Sequence, residues 1–266
     1  MIRAIALLMA IQAGIDPPHP EFDAASLKPN ASGAPGYSIG TLPGGGLRAR
    51  NIHLKRLIAV AYAVTDFQIF GNVPWLESER YDLEAKAPGP ADLPQLRLML
   101  QSLLLDRFQL KIHREPKELS IYSLTPAKGA AGGPGIIEAP EGDCAATTSP
   151  QAAAANGTPC GIVNNNPTAG WIRGHRARIS QLADRMTTML GRTVVDKTGL
   201  SGIYDINLTW TPEPGLDGSA PTPVNTDSSA PALPTALQQR LGVKLIAGKG
   251  QVEVIVIDSV ARATAN

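Results

Sequence analysis

Side chains that could do chemistry are sparse in this sequence, and each of their usual constellations is incomplete. Four histidines, His19, His53, His113 and His175, are scattered without a His-Glu-x-x-His run or an i, i+4 pair, so the spacing that lets one helix face hold a metal is missing. His53 and His175 both fall just before an expected helix and read as helix-entry positions. Ser201, in Gly199-Leu200-Ser201-Gly202, lacks the Gly-x-Ser-x-Gly frame that holds a nucleophilic serine on a strained strand-to-helix turn, and reads as a turn residue. Lys197-Thr198-Gly199 matches the strand triplet of penicillin-binding proteins and serine β-lactamases. That chemistry also needs a Ser-x-x-Lys turn, and no serine here has a lysine three positions later. Gly44-Gly45-Gly46 is not followed by Gly-Lys-Ser/Thr, and Gly248-Lys249-Gly250 falls in an expected turn, so neither cradles a phosphate. Asp82 and Asp205 recur in two Tyr-Asp pairs; paired carboxylates can divide acid and base work, but the solvated faces of strands account for them as well. The expectation is no catalytic residue, no metal site and no cofactor.

Two leads concern binding and covalent linkage. Of the tryptophans Trp75, Trp171 and Trp210, the last is in phase with Tyr204, Ile206 and Leu208 and belongs in a core. Trp75, after Pro74, is the candidate surface binding residue, with a cap over the core as its other reading. Cys144 and Cys160 lie in the least regular stretch, and in an oxidising compartment they read as a disulfide closing a loop of about 15 residues, a stabilisation of about 3 kcal/mol. Export itself is expected from residues 1–14, where Arg3 precedes the run Ile5 to Ile11 and small residues at Ala13-Gly14. That run is far short of the ~20 residues that span a bilayer. An N-terminal buried helix is the alternative. With 24 basic and 23 acidic residues and a net charge of +1, the chain offers no electrostatic footprint for nucleic acid or an anionic membrane.

The elements that must position these residues repeat. Two stretches, from about Gly46 to Lys128 and from about Trp171 to Arg262, align with one another. Each opens with a short basic strand, Leu47 to Ile52 and Gly174 to Ile179. A helix follows, marked by Leu54, Leu57, Ile58, Ala61 and Tyr62 in one and by Leu182, Met186, Met189 and Leu190 in the other, with Ser180 as N-cap and Gly191 past the end. The methionines at helical spacing read as core filler. Alternating strands begin at Tyr81-Asp82 and Tyr204-Asp205, and second helices are expected around Leu96 to Leu104 and Leu233 to Leu241. Each copy is expected to close with a hairpin, turning at Glu115-Pro116-Lys117 and at Gly248-Lys249-Gly250. The fold class is therefore α+β, two related β-α-β-α-β-β units with long irregular inserts. The expected organisation is a signal peptide over 1–14, a first unit with an N-terminal strand over 21–128, a disulfide-stapled linker over 129–170, and a second unit over 171–266 with a loop insert at 213–231. The inserts hold much of the excess of glycine (26) and proline (23).

Phe22-Asp23-Ala24-Ala25-Ser26-Leu27-Lys28-Pro29-Asn30, Leu57-Ile58-x-x-Ala61-Tyr62, Trp75-Leu76-x-Ser78-x-Arg80-Tyr81-Asp82, Leu103-Leu104-x-Asp106-Arg107-Phe108 and Val195-Asp196-Lys197-Thr198-Gly199-Leu200-x-Gly202-x-Tyr204-Asp205 span nearly the whole chain. This string of motifs resembles a family of soil-associated acidobacterial exported proteins built on a domain of unknown function. The resemblance implies a periplasmic or secreted protein, and in some relatives the region looks like an appendage to an antibiotic-sensor type membrane metallopeptidase. The repeated pattern is also similar to the short N-terminal domain of secretins and TonB-dependent receptors, which bind partner proteins; that likeness concerns architecture. The expected function is a non-enzymatic binding module for an envelope or extracellular protein or peptide. A periplasmic hydrolase with its site between the units, or a sensor domain beside a membrane peptidase, is the alternative.

Overall fold

The computed structural model describes residues 20–127, 132–140, 160–212 and 230–263; the expected leader, His19, Cys144 and nearly all of the 213–231 insert lie outside them. The fold is α+β, in two units: Met1–His113 with Ile255–Asn266, and Arg114–Val254.

The first unit contains, in chain order, β1 (Ala24–Pro29), β2 (Ser38–Thr41), β3 (Gly46–His53), α1 (Leu54–Ala61), β4 (Ile69–Phe70), α2 (Trp75–Ser78), β5 (Arg80–Lys86) and α3 (Leu93–Phe108). An antiparallel sheet runs in the order β1-β5-β3-β2. Its inner face follows from alternation: Tyr81, Leu83 and Ala85 of β5 are buried while Asp82 and Glu84 point outward. α1 starts at His53, whose Nδ1 accepts the Arg56 backbone N–H at 3.1 Å. Burial, acting before the neighbouring charges, holds the His53 imidazole below its ordinary pKa, which keeps the capping nitrogen unprotonated. α3 opens with a reciprocal cap, since Asp92 accepts the Gln95 N–H and Gln95 Oε1 accepts the Asp92 N–H, both at 2.9 Å. Leu100, Leu103, Leu104 and Phe108 of α3 then share one core with Leu57 and Ile58 of α1. At its centre Phe108 meets Tyr81 edge to face, with ring centroids 5.3 Å apart. Burial and a 3.0 Å hydrogen bond to Glu79 push the Tyr81 phenol up to about 12.

The second unit contains most of β6 (Lys111–Pro126), then β7 (Ile136–Glu138), β8 (Ile162–Asn166), β9 (Trp171–Ala177), α4 (Ile179–Leu190), β10 (Val194–Asp196), β11 (Tyr204–Thr209), α5 (Leu233–Ala236) and most of β12 (Val243–Ser259). Its sheet runs β7-β11-β9-β8, antiparallel throughout. Here the segment 129–170, expected to be irregular, supplies both edge strands; without β7 and β8 the hydrogen-bonding edges of β11 and β9 would be unpaired. α4 buries Leu182, Met186 and Met189 against Ile172, Ile206, Leu208 and Trp210. The expected N-cap Ser180 instead sits inside the helix, which is capped at Arg178, while Gly191 ends it in the left-handed conformation at φ 60° as expected.

The two expected hairpins are absent. β6 runs unbroken through Glu115-Pro116-Lys117, β12 runs unbroken through Gly248-Lys249-Gly250, and the two strands hydrogen-bond to each other. In the first unit His113 pairs with Asp258 at 2.8 Å, and in the second Glu118 pairs with Lys249 at 3.3 Å and Arg114 with Glu253. Gly250 is a close-approach residue rather than a turn: a Cβ there would lie 2.6 Å from Ile121 Cδ1.

Candidate binding site

On the outer face of the first sheet the register sets Ala24 beside Lys86, Ser26 beside Glu84 and Lys28 beside Asp82. Small side chains on β1 leave a groove of about 690 Å³, walled at one end by Leu42-Pro43-Gly44-Gly45. Its charges divide into two kinds. Arg48 and Arg50 engage Glu84 at 3.0 and 3.1 Å, and Arg50 lies 3.7 Å from Asp82. The Arg48 guanidinium holds the Glu84 carboxyl below its usual range. The ammonium groups of Lys28 and Lys86 have no ion-pair or hydrogen-bond partner among the described residues, so their charges face the groove uncompensated. Among the described residues β1 is also an edge strand of its sheet, with one hydrogen-bonding edge unpaired.

The Tyr-Asp carboxylates have a local structural task. Asn51, in the left-handed region at φ 53°, sits where the β3–β5 register shifts, and its N–H donates to Asp82 Oδ1 at 2.8 Å. Arg176, at φ 49°, sits at the corresponding shift of β9 against β11, and its N–H donates to Asp205 Oδ1 at 2.9 Å. Each aspartate satisfies a bulge amide that leaves the ladder. Asn30 donates to Asp82 at 2.8 Å, and this amide with the Asn51 N–H holds the carboxyl below the usual range. His175 Nδ1 lies 2.9 Å from Asp205 Oδ1. His175 is therefore a strand residue, and only His53 of the two occupies a helix entry.

Other singled-out residues are equally placed by packing. Lys197-Thr198-Gly199 is a turn organised by Asp196, whose Oδ1 accepts from Thr198 N at 2.9 Å and Thr198 Oγ1 at 2.7 Å. Trp210 is buried, 1% exposed. Trp75 opens α2 and packs half-buried against the first core, with the Arg262 guanidinium 5.2 Å above its ring. Trp171 is half-buried, as Trp75 is, but lies on the outer face of its sheet; among the described residues it is not one of the side chains packed on either core, and it carries Arg173 at 5.1 Å over its ring. The alternation Trp171, Ile172, Arg173, Gly174, with Ile172 and Gly174 buried, was the signal that could have found it. Cys160 forms an isolated backbone bridge with His175, while Cys144 lies outside the described residues. Among the described residues no three His, Cys, Asp or Glu side chains converge to hold a metal, and no helix is long and apolar enough to cross a membrane.

Two α+β units, whose described residues form two antiparallel four-stranded sheets, β1-β5-β3-β2 and β7-β11-β9-β8, and a mixed one, β10-β6-β12-β4, with β10 parallel to β6 and β4 parallel to β12, define the class of this protein. The chain belongs to the family described as proteins of unknown function, DUF3738, whose pattern matches residues 55–260. No curated protein and no solved structure matches it.

Proposed function

We propose that the chain is an exported, non-enzymatic binding module, and that the groove on the first sheet receives an extended acidic segment of an envelope or extracellular protein or peptide. The observation that carries this reading is the pair of uncompensated ammonium groups, Lys28 and Lys86, at a small-floored groove beside an open strand edge. An extended peptide can pair its backbone with β1 while its carboxylates reach the lysines. The motif resemblance to exported acidobacterial proteins, and the architectural likeness to the partner-binding domains of secretins and TonB-dependent receptors, point the same way. Acidic, neutral and basic decapeptides titrated into the full chain test it. Acidic peptides should bind best, and the Lys28→Glu/Lys86→Glu double variant should weaken them at least about tenfold. Equal binding of all three, or no change in the variant, would overturn the groove assignment.

The internal duplication belongs to the same reading. What supports it is the recurrence of one device, a left-handed bulge residue whose N–H is taken by the Asp of a Tyr-Asp strand, in both units. Aligned on that device, Asn51 corresponds to Arg176, two positions from the pairing of Leu47–Ile52 with Gly174–Ile179. Export and the Cys144–Cys160 bridge are tested together by intact mass of protein recovered from the periplasm or medium. Loss of the leader and of two hydrogens is expected; retention of residues 1–14 or two free thiols would refute that part.

A further inference from the structure

The outer face of the second sheet carries a different kind of surface. Register places Asn164 of β8, Arg173 of β9 and Asn207 of β11 in one row across three strands, and Asn166, Trp171 and Thr209 in the next. With strands about 4.8 Å apart and alternate residues about 6.7 Å apart, these six side chains cover roughly 10 by 7 Å. The row beyond Arg173 is closed by the His175–Asp205 pair.

The chemistry of this patch is specific. Trp171 lies outside the two apolar cores among the described residues, and its indole is partly open on the sheet's outer face, where Arg173 stacks on it. The side-chain amides of Asn164 and Asn207, the Thr209 hydroxyl and the Arg173 guanidinium have no hydrogen-bond partner among the described residues. An amide presents a donor and an acceptor together, as a pair of neighbouring sugar hydroxyls does, so each group can satisfy the other. The apolar C–H face of a pyranose ring stacks on an aromatic side chain as other apolar groups do, and the patch spans about two such rings. No acidic side chain lies in either row, and the one cation is stacked on Trp171. A single guanidinium does not make the basic track that a phosphate backbone requires.

We propose that the Trp171 face of the second sheet binds a neutral, β-linked oligosaccharide. A β-1,4-linked chain is an extended ribbon with apolar ring faces and edge hydroxyls, and it matches two rows of side chains in which one aromatic ring is edged by amides. This site is separate from the groove of the first unit and stands or falls independently of it.

Isothermal titration of the full chain with tetra-N-acetylchitotetraose tests the proposal. Binding is expected, with at least about a tenfold loss in Trp171→Ala and a several-fold loss in Asn207→Ala. Lys28→Glu/Lys86→Glu, which alters only the groove of the first unit, should leave it unchanged. Asn207 is exposed, so its variant keeps the test decisive if Trp171→Ala fails to fold, which circular dichroism reports. Absence of binding by the natural chain, binding unchanged in a folded Trp171→Ala and in Asn207→Ala, or tighter Trp171-dependent binding of oligothymidylate would each overturn it.

Discussion

Phe108→Ala is expected to cost the first unit about 3–5 kcal/mol and to lower its melting midpoint by roughly 10 °C, the largest effect of any single truncation proposed for this protein. Phe108 is the last residue of α3, is 0% exposed, and closes the core between that helix and Tyr81. Removing the ring forfeits its transfer free energy and leaves a cavity walled by a strand and a helix that are each held elsewhere, so collapse into the space is limited. Tyr81 would lose its edge-to-face partner while keeping its hydrogen bond to Glu79. Phe108→Leu, which restores most of the volume, should recover more than half of the loss. Thermal unfolding followed by near-ultraviolet circular dichroism measures both; a loss below about 1 kcal/mol for the alanine variant would mean that this residue does not close the core.

Gly170→Ala should cost about 2–5 kcal/mol in the second unit, from two sources that add. The residue sits at φ +67°, where an alanine is strained, and its new Cβ would lie 2.0 Å from the Trp210 carbonyl oxygen. Neither group can step aside, because the Trp210 N–H donates to the Gly170 carbonyl at 2.8 Å and that bond joins the ends of β9 and β11. Gly191→Ala separates the two contributions, since Gly191 has φ +60° but open space around its Cβ position. It should cost only about 1 kcal/mol. Urea unfolding of the two variants gives the comparison, and equal losses would remove the steric part of the explanation. Gly170 also precedes Trp171, so its replacement should weaken chitotetraose binding alongside stability.

Much of the local structure was legible because it depends on neighbours in sequence. The apolar spacing of Leu96, Met99, Leu100, Leu103 and Leu104 marks α3, and the alternation after Tyr81 and Tyr204 marks β5 and β11 with their buried faces. Trp210 in the core and the turn at Lys197-Thr198-Gly199 follow from the same kind of pattern. The site was less legible. Lys28, Lys86 and the small residues Ala24 and Ser26 are about sixty positions apart in the chain, and only the register of β1 on β5 makes them one groove. The guanidinium that stacks over Trp75 belongs to Arg262, nearly two hundred residues on, and no window of sequence around Trp75 contains it.

By itself, then, the sequence determined the α+β class, the position of most helices and strands, and which face of each is apolar, because a period of two or of about 3.6 is written into consecutive residues. It did not determine partners. Glu115-Pro116-Lys117 and Gly248-Lys249-Gly250 carry every local mark of turns, yet β6 and β12 run straight through them. A proline can stay in an extended edge and a glycine can admit a crossing side chain, so the same residues serve a turn or a long strand. The choice between two local hairpins and one long pair was made by hydrogen-bonding strands more than a hundred residues apart, a free energy that no window of sequence contains.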